Sequence, residues 1–117
     1  MENLKYDEIE ISENKLVGYI LNSSHIDGVH KAKFFEKFGF TPTNWIELQK
    51  ALKTHVEKRE NLEVDTNAYG KKYIIFGTID ALDGRRPKIR SVWFIENKEK
   101  ILKFVTAYPI KDDKRDR

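Results

Sequence analysis

The sequence predicts an α+β domain in which about three N-terminal helices precede a four-stranded antiparallel sheet. Three observations predict it. Apolar residues recur at helical spacing between Leu16 and Val56, and β-branched and aromatic residues dominate after Leu62. Turn signals then divide that second part into consecutive strands. The 117 residues read as a single domain, with 1–12 an extended arm and 110–117 a disordered tail.

Ile9 and Ile11 alternate with acidic and polar neighbours, which suits a brief edge strand or an extended arm. Leu16, Tyr19 and Ile20 then fall at helical spacing and predict a short helix over 13–21. The segment from Asn22 to Gly28 has the composition of a polar loop. Ala32, Phe35 and Phe38 form the apolar stripe of a second helix, which Gly39 is placed to end. Thr43 or Asn44 can cap a third helix, whose buried face is Trp45, Leu48, Leu52 and Val56. Leu62 and Val64 alternate with acidic residues, and Asn67 to Gly70 supplies a turn. Lys72 to Ile79, Lys88 to Ile95 and Ile101 to Tyr108 complete the strands, with Asp83-Gly84 as a hairpin signal.

Composition narrows the function classes. The chain is 35% charged with 39% hydrophobic residues, which is enough for one modest core under a well-solvated surface. It has no cysteine, which removes disulfides, thiolate metal ligands and cysteine nucleophiles together. No apolar run approaches a membrane span and the N-terminus lacks the pattern of a signal peptide, so a cytoplasmic protein with no membrane partner is expected. The net charge of +3 hides an asymmetry: residues 1–70 hold 9 Lys/Arg against 12 Asp/Glu, while 71–117 hold 13 against 7. A basic second part suits a phosphate-rich partner, because neutralising phosphates releases counterions. It equally suits the solvated face of a sheet.

The last hairpin can be read to the level of register. Pairing Ile95 with Ile101 across the turn sets Phe94 opposite Leu102, Val92 opposite Phe104, Arg90 opposite Thr106 and Lys88 opposite Tyr108. That face is apolar near the turn and becomes polar and cationic toward Arg90, Lys88, Thr106 and Tyr108. Packed on the helices, it would open a phosphate-binding cluster at the core rim, with Arg90 as a bidentate fork and the hydroxyls as hydrogen-bonding partners. Among the histidines, His55 lies in the third helix, where it either faces the core edge or meets the helix dipole. His30 starts the second helix and is expected to be exposed. His25 is the candidate for proton transfer, since it sits in a polar loop and imidazole titrates near neutrality. No histidine spacing makes a metal site, and no glycine-rich phosphate loop or nucleophile elbow occurs, so neither metal nor cofactor is expected.

The run Lys15-Leu16-x-x-Tyr19-x-Leu21-Asn22-x-x-His25-x-x-Gly28-x-x-Lys31-Ala32-x-Phe34-Phe35-x-x-x-Gly39-Phe40 resembles a family of small bacterial domains of unknown function, recurrent in cyanobacteria and in toxin-type polymorphic proteins. The resemblance continues through Tyr69-Gly70, Arg90-x-Val92-Trp93 and Leu102-x-x-x-Thr106-x-Tyr108-Pro109, so that it covers about 15–109. It departs at Ile26, where a proline is expected. The family is similar to the barnase, EndoU, colicin and RelE group of metal-independent ribonucleases, whose helices also precede a four-stranded antiparallel sheet. The resemblance implies catalytic roles for His25, Lys31, Arg90 and Thr106. Substrate contacts are expected from Lys88, Tyr108, Tyr69 and Lys33, with Trp93 either a base-stacking residue or part of the core. The partners implied are RNA and an acidic antitoxin or immunity protein. The competing expectation is a non-catalytic module that binds protein or nucleic acid through the basic sheet face.

Overall fold

A computed structural model describes residues 4–26 and 29–110. Asp27 and Gly28 of the polar loop, and all of the expected tail except Ile110, lie outside the described residues. Strand β1 (Glu8–Glu10) leads into α1 (Glu13–Lys15), which continues as a π-helical turn, Leu16–Ile20. Helix α2 (Val29–Lys37), a 3₁₀ turn (Pro42–Asn44) and α3 (Trp45–Lys58) follow. The chain ends in β2 (Asn61–Asn67), β3 (Gly70–Thr78), β4 (Lys88–Glu96) and β5 (Ile101–Pro109).

Local chemistry explains the boundaries. The Ser12 hydroxyl accepts from the Lys15 N–H at 3.1 Å and caps α1. Past α2, Gly39 takes a φ of +95°, and the Phe40 N–H returns to the Phe35 carbonyl at 3.0 Å, a closing turn that favours glycine. Leu16 and Ile20 from the π-helical turn, Phe35 from α2 and Leu48, Leu52 and Val56 from α3 form one core with Ile75, Ile89, Trp93, Leu102 and Phe104 of the sheet. Every one of these side chains is at most 4% exposed. The opposite face of the sheet carries Phe76, Arg90, Val92, Phe94 and Tyr108, all half-buried and outside that core.

Two expectations are corrected. The sheet has five strands in the order β1-β5-β4-β3-β2, where four were expected. The segment read as a brief edge strand or an extended arm contributes β1, an edge strand that pairs parallel to β5 with Ile9 opposite Leu102. The pairing joins the two ends of the fold, so no local pattern announces it. The hairpin register also differs. Trp93 pairs with Phe104, yet Val92 pairs with Thr106 and Arg90 with Tyr108, because Val105 is an extra residue at a β-bulge. The bulge reverses the alternation along β5: Leu102 and Phe104 point into the core before it, Ala107 after it. On β4 it is Ile89, Ser91 and Trp93 that face the core, so Arg90 and Lys88 lie on the open face of the sheet instead of at a core rim. Trp93 is fully buried and is a core residue.

His55 is also buried, within a polar network inside the core. Its Nδ1–H donates to the Thr78 carbonyl at 3.0 Å, which leaves Nε2 to accept from the Ser91 hydroxyl at 2.8 Å. Ser91 Oγ in turn accepts from the Trp93 indole N–H at 2.7 Å. Burial pushes the imidazole below its ordinary value of 6.5; the Thr78 carbonyl and the nearby Glu60 carboxylate oppose that shift without cancelling it. The unfolded chain therefore takes up a proton first as the pH falls. The stability contributed by neutral His55 is full above 6.5 and declines below it, until the folded-state pKa is passed. Urea midpoints measured from pH 7.5 down to 5 should fall, and His55→Gln should flatten that part of the profile. An unchanged slope in the variant would assign the pH dependence elsewhere. Glu60 lies outside this window: two hydrogen bonds from Thr78 hold its carboxyl below its ordinary value of 4.5.

Candidate functional site

The loop after the π-helical turn is organised by Asn22. Its amide N–H donates to the Gly18 carbonyl at 3.2 Å, and its side-chain oxygen accepts from the Ser24 N–H at 2.8 Å. The His25 N–H donates to the Asn22 carbonyl at 3.1 Å. These bonds turn the chain sharply and set the His25 ring edge-on to Tyr19, with 4.9 Å between ring centroids.

Tyr19 is the hub of the cluster. Its hydroxyl is hydrogen-bonded to Thr106 Oγ1 at 3.3 Å, joining the helical segment to β5. The Lys31 ammonium, on α2, lies 5.4 Å from the Tyr19 ring centroid and 5.8 Å from that of Tyr108. The Arg90 guanidinium also lies 5.6 Å from the Tyr108 ring centroid, and 5.0 Å from that of Phe76. The structure thus brings His25, Lys31, Arg90, Thr106 and Tyr108 into one chain of contacts through Tyr19. One imidazole, two cations and several hydroxyls are linked in this way between the helical segment and strands β5 and β4.

Arg90 stands out within this group. It is half-buried, its Nε is enclosed without a hydrogen-bond partner, and among the described residues it has no ion pair. A cation placed against two aromatic rings, with no carboxylate paired to it among the described residues, is electrostatically suited to an anion. An open cavity of about 480 Å³ adjoins the cluster, lined by Asn14, Lys15, Gly18, Tyr19, His25, Val105 and Thr106.

The remaining expected contacts stand apart. Lys88 shares the open face with Arg90 but is exposed at the end of β4, opposite Thr78. Lys33 is exposed, and two residues along a helix from Lys31 it faces nearly the opposite way. Tyr69 is 77% exposed in the β2–β3 turn, beside Asn97 at the other end of β4, roughly 20 Å of strand away. Spacing alone could not phase these side chains. Tyr19 is the participant that sequence reasoning left among core residues; its place three residues before Asn22, in the same motif as His25, was the available signal. Among the described residues, no group of three His, Cys, Asp or Glu side chains is arranged to hold a metal ion. No helix among them is long and apolar enough to cross a membrane.

No curated protein and no solved structure matches the chain. A family model does, over residues 2–111, and its description is a domain of unknown function. With nearly the whole chain inside that match, the protein belongs to the DUF6883 family.

Proposed function

We propose that this domain is a metal-independent endoribonuclease of toxin type. The observation that carries the reading is the convergence of His25, Lys31, Arg90 and Thr106 on Tyr19 and Tyr108, with Arg90 lacking an acidic partner among the described residues. In the reaction, the ribose 2′-oxygen attacks the adjacent phosphorus, the bond to the 5′-oxygen breaks, and a 2′,3′-cyclic phosphate and a 5′-hydroxyl result. One proton leaves the 2′-oxygen and one reaches the 5′-oxygen, and His25 serves one of these transfers. Lys31 and Arg90 neutralise the charge that gathers on the phosphorane, and the Thr106 and Tyr108 hydroxyls orient the phosphate. An acidic antitoxin or immunity protein would cover the same cations.

The test is incubation of the purified protein with total RNA in EDTA, beside His25→Ala and Arg90→Ala. Cleavage that persists in EDTA and is lost in both variants supports the reading. No cleavage at high protein concentration, with RNA still retained, would assign the cluster to a non-catalytic binding module.

A further inference from the structure

Both walls of the cavity beside His25 depart from regular geometry. On one side, the Leu21 N–H donates to the Leu16 carbonyl at 2.7 Å, five residues back, in the π-helical turn. On the other, the bulge inserts Val105 into β5. Each irregularity adds one residue to an otherwise regular element and re-aims the side chains around it. They meet at the Tyr19–Thr106 hydrogen bond, so both shape the same opening.

The lining has two different characters. Val105, 36% exposed, offers an apolar wall. Facing it is the surface of Gly18 and Asn14. A Cβ at Gly18 would lie 2.9 Å from Asn14 Oδ1, so glycine keeps that surface flat and leaves the Asn14 amide in place. A carboxamide presents a donor and an acceptor side by side, the pattern that pairs with the edge of a nucleobase. The volume of about 480 Å³ falls within the ~300–1,000 Å³ usual for small-ligand sites. Lys31 and Arg90 do not line the cavity; Lys31 lies against the Tyr19 ring that lines it, and Arg90 against Tyr108.

We infer that this cavity is a nucleobase subsite, with Asn14 as its specificity-determining residue and Val105 as the wall against which the base lies. The inference rests on the ribonuclease reading: the phosphate sits at Lys31 and Arg90 while the attached nucleoside enters between Val105 and Gly18.

The test uses the full chain with two independent readouts. The four nucleoside 3′-monophosphates, ribose 5-phosphate and inorganic phosphate are titrated into isotope-labelled protein and followed by amide shifts. At least one nucleotide should move the Gly18 and Val105 amides and bind about tenfold more weakly to Asn14→Ala. Inorganic phosphate should leave those amides in place. Sequencing of cleavage ends should show a base preference that flattens in Asn14→Ala and Val105→Ser. If nucleotides bind no better than inorganic phosphate, or the preference survives both substitutions, the subsite is overturned. Cleavage that depends on His25 but ignores Asn14 would overturn the subsite alone. Base-selective binding at Gly18 and Val105 without cleavage would support the subsite and overturn the ribonuclease reading.

Discussion

On the proposed ribonuclease reading, cleavage of RNA should fall by about 10²–10³-fold in Arg90→Ala and by a similar or larger factor in His25→Ala. Arg90 is the more informative of the two. Its guanidinium rests on the rings of Phe76 and Tyr108, and its Nε is enclosed without a hydrogen-bond partner. On that reading, such a group would meet the phosphate already partly desolvated and oriented, and would stabilise charge on the phosphorane without reorganising. Arg90→Lys keeps the charge but loses the planar fork and its contact with both rings. It should recover only a small part of the rate. Lys33→Ala and Lys88→Ala remove the same unit of charge from exposed positions and should change the rate by less than about threefold, since exposed charge is well screened. Because Arg90 also packs on two rings, thermal melts must accompany the kinetics: a rate loss in a variant that melts like wild type is chemical. Equal losses from Lys33, Lys88 and Arg90 would mean that net charge matters and geometry does not.

The pH dependence of that rate has to be separated from the pH dependence of folding. Neutral His55 stabilises the fold above 6.5 and does so less below it. It is buried and bonded at both ring nitrogens, so it has no part in proton transfer to a substrate. Rates measured in His55→Gln at constant folded fraction would therefore keep the wild-type profile, while the stability profile flattens.

How far the sequence could carry these conclusions depends on the range of each interaction. The helices and β2 to β5 were legible because their signals are local: Leu48, Leu52 and Val56 repeat at the helical period, and the turns at Asn67–Gly70 and Asp83-Gly84 carry their own chemistry. The pairing of β1 with β5 was not legible, since a three-residue strand finds its partner some ninety residues away. Nor was the bulge. Val105 stands between Phe104 and Thr106, and all three are strand formers, so nothing distinguishes an inserted residue from a paired one. The pairing is already one residue off at the turn, where Trp93 meets Phe104, and Val105 moves it one residue further, so that Arg90 meets Tyr108. The bulge turns Thr106 and Tyr108 to the face that Arg90 already occupies on β4, where Ile89, Ser91 and Trp93 take the core side. Tyr19 failed the other way. It lies beside Leu16 and Ile20 and reads as part of an apolar stripe, although its hydroxyl reaches Thr106.

Gly70→Ala should be the most damaging of the conservative substitutions, costing about 3 kcal/mol of folding stability. Gly70 opens β3, pairing with Asn67 on one side and Glu96 on the other, and has a φ of +157°. A Cβ there would collide with the Ile95 carbonyl oxygen and lie 2.9 Å from both Glu96 Cα and Phe94 Cζ. Two of these contacts are backbone, which cannot swing aside as a flexible side chain does. The strain thus falls on β3–β4 pairing itself, against a total stability typical of small domains of ~5–15 kcal/mol. Gly84→Ala is the control: its φ is +93° but nothing lies within 4 Å, so only the backbone term of about 1 kcal/mol applies. Urea denaturation of the two variants separates steric collision from backbone strain, and equal losses would refute the close approach of β3 and β4. Gly70 lies at the end of the sheet remote from His25 and Arg90. Rates normalised to folded protein should therefore match wild type in Gly70→Ala, whereas in Arg90→Ala they should not.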